Sequence, residues 1–192
     1  MGAADLKYTL EEFYNVTEDM RAELIDGKIY YMSPAPNIMH QRISVKLTTK
    51  ISNFIEKNKG NCEVFSAPTD VLFSDNTTVQ PDIFVVCDKT KITEKRCEGA
   101  PDWIIEITSK NAAYDYVTKR DFYQQNGVRE YWIVDPRNET VTVFNSNNNM
   151  PNIEYYKLND IIPVGIYKDN PEPLEICIAD LISEYVASPK ND

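Results

Sequence analysis

The sequence predicts an α/β protein in which a central mixed β-sheet is flanked by helices. Three observations predict it: a long stretch with helical spacing of apolar residues, a series of short β-forming runs, and a second helical stretch followed by an aromatic strand. Elements in this order pack as layers around one core. At 192 residues we expect a single domain over residues 1–192, with a core at about 8–187 and flexible ends.

A short helix and a hairpin are predicted at the N-terminus. Thr9-Leu10-Glu11-Glu12 has the pattern of a capping box, in which the first and last residues bond each other's backbone amides at the start of a helix. Asp26-Gly27 separates the β-prone runs 21–25 and 28–32, which is a strong local signal for a hairpin turn. Residues 33–37 contain two prolines and predict a loop.

A long helix follows at about residues 38–59, with Gly60 as its C-terminal cap, because its apolar residues recur at helical spacing. Further on, strands are predicted at residues 62–66, 69–73, 79–87 and 102–108, with the basic stretch 88–99 as a loop.

The second half begins with a predicted helix over residues 111–126, closed by Gly127, and a strand over residues 130–134. Residues 140–145 and 153–158 flank a polar turn and predict a C-terminal hairpin, before a strand near 174–178 and a helix near 180–186. Two features, the aromatic pair Tyr131-Trp132 and this hairpin, are compatible with a homodimer interface and equally with core packing. We expect the protein to be a homodimer.

Composition narrows the function classes. A net charge of −10 argues against binding to nucleic acid by bulk electrostatics. The negative net charge does not exclude a local basic surface, and one candidate is the cluster of Lys89, Lys91, Lys95 and Arg96. A solvated loop explains that cluster equally well. No apolar run reaches the roughly 20 residues that span a bilayer, and the N-terminus lacks a signal-peptide pattern, so we expect a cytoplasmic protein with no membrane partner.

The four cysteines are widely spaced and form no C-x-x-C pair. We expect reduced, mostly buried thiols rather than a disulfide framework or a zinc site. With a single histidine, a site rich in imidazole ligands is also excluded.

Two acids interrupt apolar strands. Asp82 follows Pro81 within the run 79–87, and Glu106 lies inside Trp-Ile-Ile-Glu-Ile-Thr. Two carboxylates on facing strands repel unless a cation lies between them, and oxygen ligands of this kind suit Mg²⁺ or Mn²⁺. In the alternative interpretation Asp82 caps a bulge and Glu106 pairs with a lysine or an arginine. The acids alone leave both interpretations open.

Lys119 favours the metal interpretation. On the predicted second helix it shares one stripe with Ala112, Tyr116 and Tyr123, so it lies on a largely apolar, inward face. A lysine that reaches toward Asp82 and Glu106 orients an attacking water and stabilises charge on a phosphate. The alternative is a surface pair with Asp115, one helical turn away.

These residues resemble the PD-(D/E)XK nuclease superfamily, and more closely its bacterial branch of restriction-endonuclease-like proteins. The motifs that carry the resemblance cover nearly the whole chain: Glu23–Gly27 with Met32–Pro34, His40, Ala67–Val71, Pro81-Asp82, Glu106–Ser109, Lys119, Tyr123 and Gly127–Pro136. The sequence departs from the superfamily pattern at Thr108, where the pattern has its lysine.

The resemblance implies a restriction-endonuclease-like fold, metal ligation by Asp82 and Glu106, and a catalytic lysine taken from the following helix. Lys119 matches that position, and Lys110 ranks second because it directly follows the strand. Four further residues are possible members of the site: Glu23 as a third acid or the partner of a base on the hairpin, His40 as a site residue or a satisfied core histidine, Asp70 as a supporting or strand-start residue, and Tyr123.

Three functions follow as hypotheses. The first is a Mg²⁺-dependent endonuclease that hydrolyses phosphodiester bonds of DNA. The second is a catalytically silent binding or assembly module with the same fold. The third is a metal-dependent hydrolase of a small phosphorylated substrate.

Overall fold

The computed structural model describes residues 7–18, 20–32, 36–108, 119–147 and 150–186. The N-terminal helix and hairpin are formed as predicted: helix α1 is Leu10–Val16, strand β1 is Ala22–Ile25 and strand β2 is Lys28–Tyr31. The capping box is complete, with the Glu12 amide donating to Thr9 Oγ1 and the Thr9 amide donating to Glu12 Oε2. Asp26 and Gly27 have φ of 50° and 80°, the left-handed conformation that a tight hairpin turn requires.

Helix α2 is Ile38–Lys57, and its buried stripe contains His40 together with Ile43, Leu47, Ile51 and Ile55. Gly60 takes part in the C-terminal cap as predicted, since its amide donates to the Ile55 carbonyl at 2.9 Å. The left-handed residue of that cap, however, is Lys59 with φ of 50°.

The remaining elements follow in chain order. Strands in the first half are β3 (Glu63–Ser66), β4 (Val71–Ser74), β5 (Thr77–Val79), β6 (Ile83–Val86), β7 (Cys97–Glu98) and β8 (Trp103–Ile107). The second half contains helix α3 (Arg120–Gln125), β9 (Glu130–Asp135), β10 (Thr140–Asn147), β11 (Met150–Lys157), β12 (Ile162–Pro163), β13 (Glu175–Ile176) and helix α4 (Ile178–Val186).

The central sheet has six strands in the order β11-β10-β9-β8-β6-β3. Strands β8 and β9 run parallel, whereas the other neighbours are antiparallel, so the sheet is mixed as predicted. The hairpin β10–β11 extends it at one edge. A second, five-stranded sheet has the order β2-β1-β5-β4-β7.

The prediction of one strand over residues 79–87 is wrong. Strand β5 ends at Val79 in the five-stranded sheet, and β6 begins at Ile83 in the central sheet. Residues 80–82 cross between the two sheets, and Pro81, which has no amide to donate to a ladder, lies at the crossing. The predicted loop 88–99 also contains a short 3₁₀ turn, Lys89–Lys91, and strand β7.

The predicted second helix is described only at its end. Helix α3 closes at Gly127, whose φ is 88°, and the Val128 amide donates to the Tyr123 carbonyl. Residues 109–118, among them Lys110 and Asp115, lie outside the described residues, as do residues 33–35 of the predicted loop.

The two faces of the central sheet belong to different core clusters. One face, with Ile83, Val85 and Ile105, packs against α2 and α4. The other face, with Phe84 and Ile104, packs against the five-stranded sheet and α3. The aromatic pair of β9 is divided between them: Trp132 lies in the first cluster and Tyr131 in the second. Of the two interpretations of this pair, core packing is therefore correct.

The expectation of four reduced cysteines is wrong for one pair. Cys62 and Cys87 form a disulfide. The antiparallel pairing of β3 and β6 sets Glu63 opposite Val86, which brings the next residues, Cys62 and Cys87, opposite each other. Cys97 and Cys177 are free thiols, and burial raises the pKa of Cys97 to about 11. Within the described part of the chain, no helix is both long and apolar enough to cross a membrane.

Candidate active site

Asp82 and Glu106 lie opposite each other across two neighbouring strands. The pairing of β6 with β8 begins at Ile83 and Ile105, and one step further along this register are the two acids. The Asp82 amide lies 3.4 Å from Glu106 Oε2. Directly opposite residues of an antiparallel pair point to the same side of the sheet. The facing arrangement predicted from the sequence is therefore present, although Asp82 stands at the entrance of its strand.

The Asp82 carboxylate is held on one oxygen. Its Oδ2 accepts a hydrogen bond from the Ile107 amide at 2.8 Å and lies 3.0 Å from His40 Nε2. Its other oxygen, Oδ1, has no hydrogen-bond partner among the described residues. The Asp82 side chain is 16% exposed, so one of the two predicted ligand carboxylates is open to a ligand.

His40 reaches Asp82 from the first turn of α2. Asn37 caps this turn, because its side-chain oxygen accepts from the His40 amide at 2.9 Å. The ring is buried, as the apolar stripe predicts. His40 thus contacts Asp82 through Nε2, whereas its Nδ1 is buried and unpaired within the described part of the chain. Its role at a site stays a prediction.

Lys119 lies between two carboxylates. Its Nζ is 2.9 Å from Glu106 Oε1 and 2.9 Å from Glu23 Oε1, and the lysine is only 4% exposed. The alternative of a surface lysine is therefore wrong. Glu23, which is itself buried on β1, pairs with this helix lysine and not with a base on the hairpin.

Tyr123 follows Lys119 by one helical turn and contacts the same carboxylate. Its hydroxyl donates to Glu106 Oε1 at 3.2 Å. Burial raises the pKa of Tyr123 well above its ordinary value, so the phenol stays protonated and remains a donor. Glu106 Oε1 thus accepts hydrogen bonds from an ammonium and a phenol.

Asp70 supports this group from one step away. Its carboxylate accepts hydrogen bonds from the Tyr14 hydroxyl at 2.7 Å and from the side-chain Nε2 of Gln80 at 2.8 Å. The backbone amide of Gln80 donates to Glu23 Oε1 at 3.1 Å. Asp70 therefore reaches the site through Gln80. Tyr14 and Gln80 were not among the predicted site residues, and the one sequence signal for them is the position of Gln80 directly before Pro81-Asp82.

The exposed side of Asp82 lines a cleft of about 610 Å³, here called the Asp82 cleft. Helix α2 lines the cleft with Gln41, Ser44 and Thr48, and Arg21 and Pro68 line it as well. Thr48 Oγ1 is buried and has no partner among the described residues. The cleft thus offers hydrogen-bonding groups and one cation beside the exposed carboxylate.

The donor set fits a two-carboxylate cation site. Within the described residues no group of three or more His, Cys, Asp or Glu side chains is arranged to hold a metal, and the ammonium of Lys119 lies between Glu23 and Glu106. Mg²⁺, however, is commonly bound through one or two carboxylates and keeps several waters.

Comparisons with known proteins bear on the family and the fold of the chain. A family model described as "Uma2: Putative restriction endonuclease" matches residues 10–166. A solved structure, described as a "putative nuclease belonging to DUF820 from Anabaena variabilis", is similar with a TM-score of 0.72 and 27% identity, over 91% of this chain and 97% of that chain. Comparison with curated proteins gave no match. The structural similarity confirms the predicted fold class.

Proposed function

The chain belongs to the Uma2 family of restriction-endonuclease-like proteins, as its motifs predicted, and from this premise we propose that it is a metal-dependent endonuclease that hydrolyses phosphodiester bonds of DNA. The single observation that carries the proposal is the convergence of Asp82, Glu106 and Lys119. They come from the entrance of β6, from β8 and from the start of α3, and hydrogen bonds link both Asp82 and Lys119 to Glu106.

In this proposal Asp82 and Glu106 hold Mg²⁺ or Mn²⁺. The bound cation supplies Lewis-acid chemistry: it stabilises charge on the phosphoryl oxygens and lowers the pKa of water. The Ile107 amide and His40 fix Oδ2 of Asp82, which leaves Oδ1 as the oxygen for the cation. Tyr123 fixes Oε1 of Glu106 in the same way, so both carboxylates are oriented before a ligand binds.

Lys119 is the group that meets the negative charge of the phosphate. Its burial matters, because an ammonium that is shielded from water stabilises charge more strongly than one in bulk solvent. Glu23 keeps this ammonium in place, since the two groups are 2.9 Å apart and both are buried. Glu23 is thus a positioning residue for Lys119.

The test is cleavage of plasmid DNA by the purified protein with Mg²⁺ or Mn²⁺. We expect cleavage that requires the metal and that falls by at least about a hundredfold in Asp82→Asn and in Glu106→Gln. Glu172→Gln, a matched acid-to-amide change at an exposed surface ion pair, should cut like the native protein. Cleavage that persists in both site variants would overturn the proposal.

One observation favours a second candidate, the catalytically silent module. The ammonium of Lys119 already occupies the space between two of the acids, as in a structural ion cluster. Calorimetry separates the two functions. The nuclease requires binding of Mg²⁺ or Mn²⁺ that is lost in Asp82→Asn, whereas the silent module requires no binding of either cation.

A further inference from the structure

A second cleft adjoins the Asp82 cleft and has no role in the chemistry above. It measures about 460 Å³, and the residues that matter here are Phe65, Pro68, Asp70, Gln80, Lys95 and Arg96; we call it the Lys95 cleft. Pro68 lines both clefts, so they meet at this residue. A chain molecule that fills the Asp82 cleft can therefore continue over Pro68 into the Lys95 cleft.

The basic stretch noted in the sequence supplies the cation of this second cleft. Three of its four bases are occupied: Lys89 pairs with Glu63, Lys91 Nζ donates to the Ala100 carbonyl at 2.8 Å, and Arg96 pairs with Glu98. Lys95 is exposed, and within residues 88–99, all of which the structure describes, its ammonium makes no ion pair or hydrogen bond. Lys95 is thus available to a phosphate.

Aromatic rings also line this cleft. Phe65 is half-buried and stacks on the fully buried Phe84, with ring centroids 5.3 Å apart and an angle of 22° between the planes. Phe84 therefore fixes the Phe65 ring. An ordered aromatic ring beside a cation is the combination with which proteins bind unpaired nucleotides, the base stacking on the ring and the phosphate meeting the cation.

Gln80 adds a directed polar group to the cleft. Its Nε2 donates to Asp70, which fixes the orientation of the amide. The amide oxygen, Oε1, is buried and accepts no hydrogen bond from the described residues. A buried acceptor without a donor is costly, so Oε1 is the polar atom of this lining that gains most from a donor on a bound ligand.

We propose that the Lys95 cleft binds one unpaired nucleotide of the substrate strand, next to the phosphate held in the Asp82 cleft. This inference rests on the proposed nuclease function and names its substrate class: DNA with single-stranded nucleotides, such as ends, flaps and gaps. A paired base would have to leave its stack to enter the cleft, which disfavours intact duplex. Two acids in the lining, Asp70 and Glu94, balance Lys95 and Arg96, so the cleft does not share the strong negative charge of the whole chain.

The test measures binding rather than cleavage. Fluorescence anisotropy compares a labelled single-stranded oligothymidine with a duplex of equal length, with Ca²⁺ in place of Mg²⁺. We expect the native protein to bind the single strand at least tenfold more tightly. Phe65→Ala should weaken single-strand binding by about 5- to 100-fold and leave duplex binding unchanged. Lys95→Ala should reduce the salt slope for the single strand by about 0.7.

Lys89→Ala is the matched control, because it removes a lysine of the same basic stretch that is paired with Glu63 and does not line the cleft. Phe65→Leu accompanies Phe65→Ala, because it keeps an apolar side chain against Phe84 and loses only the aromatic face. Tighter binding of the duplex by the native protein, or native affinity in both Lys95→Ala and Phe65→Leu, would overturn the inference.

The two proposals fail differently. If Asp82→Asn and Glu106→Gln abolish cleavage while the Lys95 and Phe65 variants keep the native KM for single-stranded DNA, the nuclease function stands and the nucleotide cleft falls. If no protein cuts DNA but the Lys95 and Phe65 variants lose single-strand binding, the cleft stands as a binding site and the nuclease function falls.

Discussion

Lys119 Nζ lies 2.9 Å from Oε1 of Glu23, a residue 96 positions earlier in the chain. The same ammonium contacts Glu106, so one cation joins β1, β8 and the start of α3 in a buried cluster. A buried ion cluster contributes little net stability when it is intact, but loss of one member leaves charges in a medium that solvates them poorly.

The first prediction concerns this cluster. Lys119→Met removes the cation that two buried acids share, and we expect the free energy of unfolding to fall by about 3–5 kcal/mol in urea titrations. The control, Lys46→Met, breaks a surface pair with Glu184 and should cost less than about 1 kcal/mol. Adding Glu23→Gln to Lys119→Met should restore part of the loss, because one of the two charges is then removed. A loss equal to that of the control would contradict this account.

The second prediction concerns His40. His40 contacts Oδ2 of Asp82 and so orients this carboxylate. His40→Ala should therefore weaken Mn²⁺ binding by about 10- to 100-fold in calorimetry. His40→Gln, whose amide retains a donor, should recover part of this affinity. Thr49→Ala lies on the same helix and lines the same cleft, yet its hydroxyl bonds only to the Val45 carbonyl, so it should bind Mn²⁺ like the native protein. Native affinity in His40→Ala would exclude the supporting role.

The third prediction concerns Glu130, whose carboxylate accepts from Trp132 Nε1 and from the Ile166 amide. Burial raises the pKa of Glu130 above its ordinary value of 4.5. A carboxyl group with a raised folded-state pKa contributes stability that is fully present below the unfolded pKa and is lost as the pH rises through the folded pKa. The stability difference between the native protein and Glu130→Gln should therefore shift against the native protein as the pH rises from about 4 to 8.

Glu172 gives the opposite sign and serves as the control. The hydrogen bond from Lys57 lowers the pKa of Glu172, so its contribution is present above the unfolded pKa and is lost as the pH falls. Denaturant titrations of Glu172→Gln across the same pH range should show a small slope of the reverse direction. Slopes of the same sign in both variants would refute the assignment for Glu130.

The fourth prediction concerns the disulfide. Cys62 and Cys87 are 25 positions apart, and closing a loop of this length stabilises a protein by about 3.5 kcal/mol in the chain-entropy model. Reduction should lower the free energy of unfolding by about that amount. The double variant Cys62→Ser/Cys87→Ser should match the reduced protein and no longer respond to reductant. Cys97→Ser should leave the response to reductant unchanged, because Cys97 is a free thiol.

Local features of the fold were predictable from the sequence because their causes are local. The capping box at Thr9, the Asp26-Gly27 turn and the apolar stripe of α2 each depend on residues within a few positions of one another. The same holds for the orientation of His40, which the helical period alone places on the buried side.

Contacts between segments that are far apart in the chain could not be predicted from local sequence patterns. The Cys62–Cys87 pairing depends on the register of β3 against β6, and the Glu23–Lys119 pair depends on how the small sheet packs over the central one. The single strand expected at residues 79–87 failed for a related reason. An apolar run shows that a segment is buried, but it does not show that the segment passes from one sheet to another.

The connection between the two sheets affects the dynamics of the protein. Residues 80–82 join β5 to β6, and they carry both the amide that binds Glu23 and the carboxylate of Asp82. Residues 80–82 therefore do not move independently, since any displacement of this segment pulls on a strand inside each of the two sheets. Native-state hydrogen exchange should place the amides of β5 and β6 in one cooperative unit, which opens only when the domain as a whole unfolds.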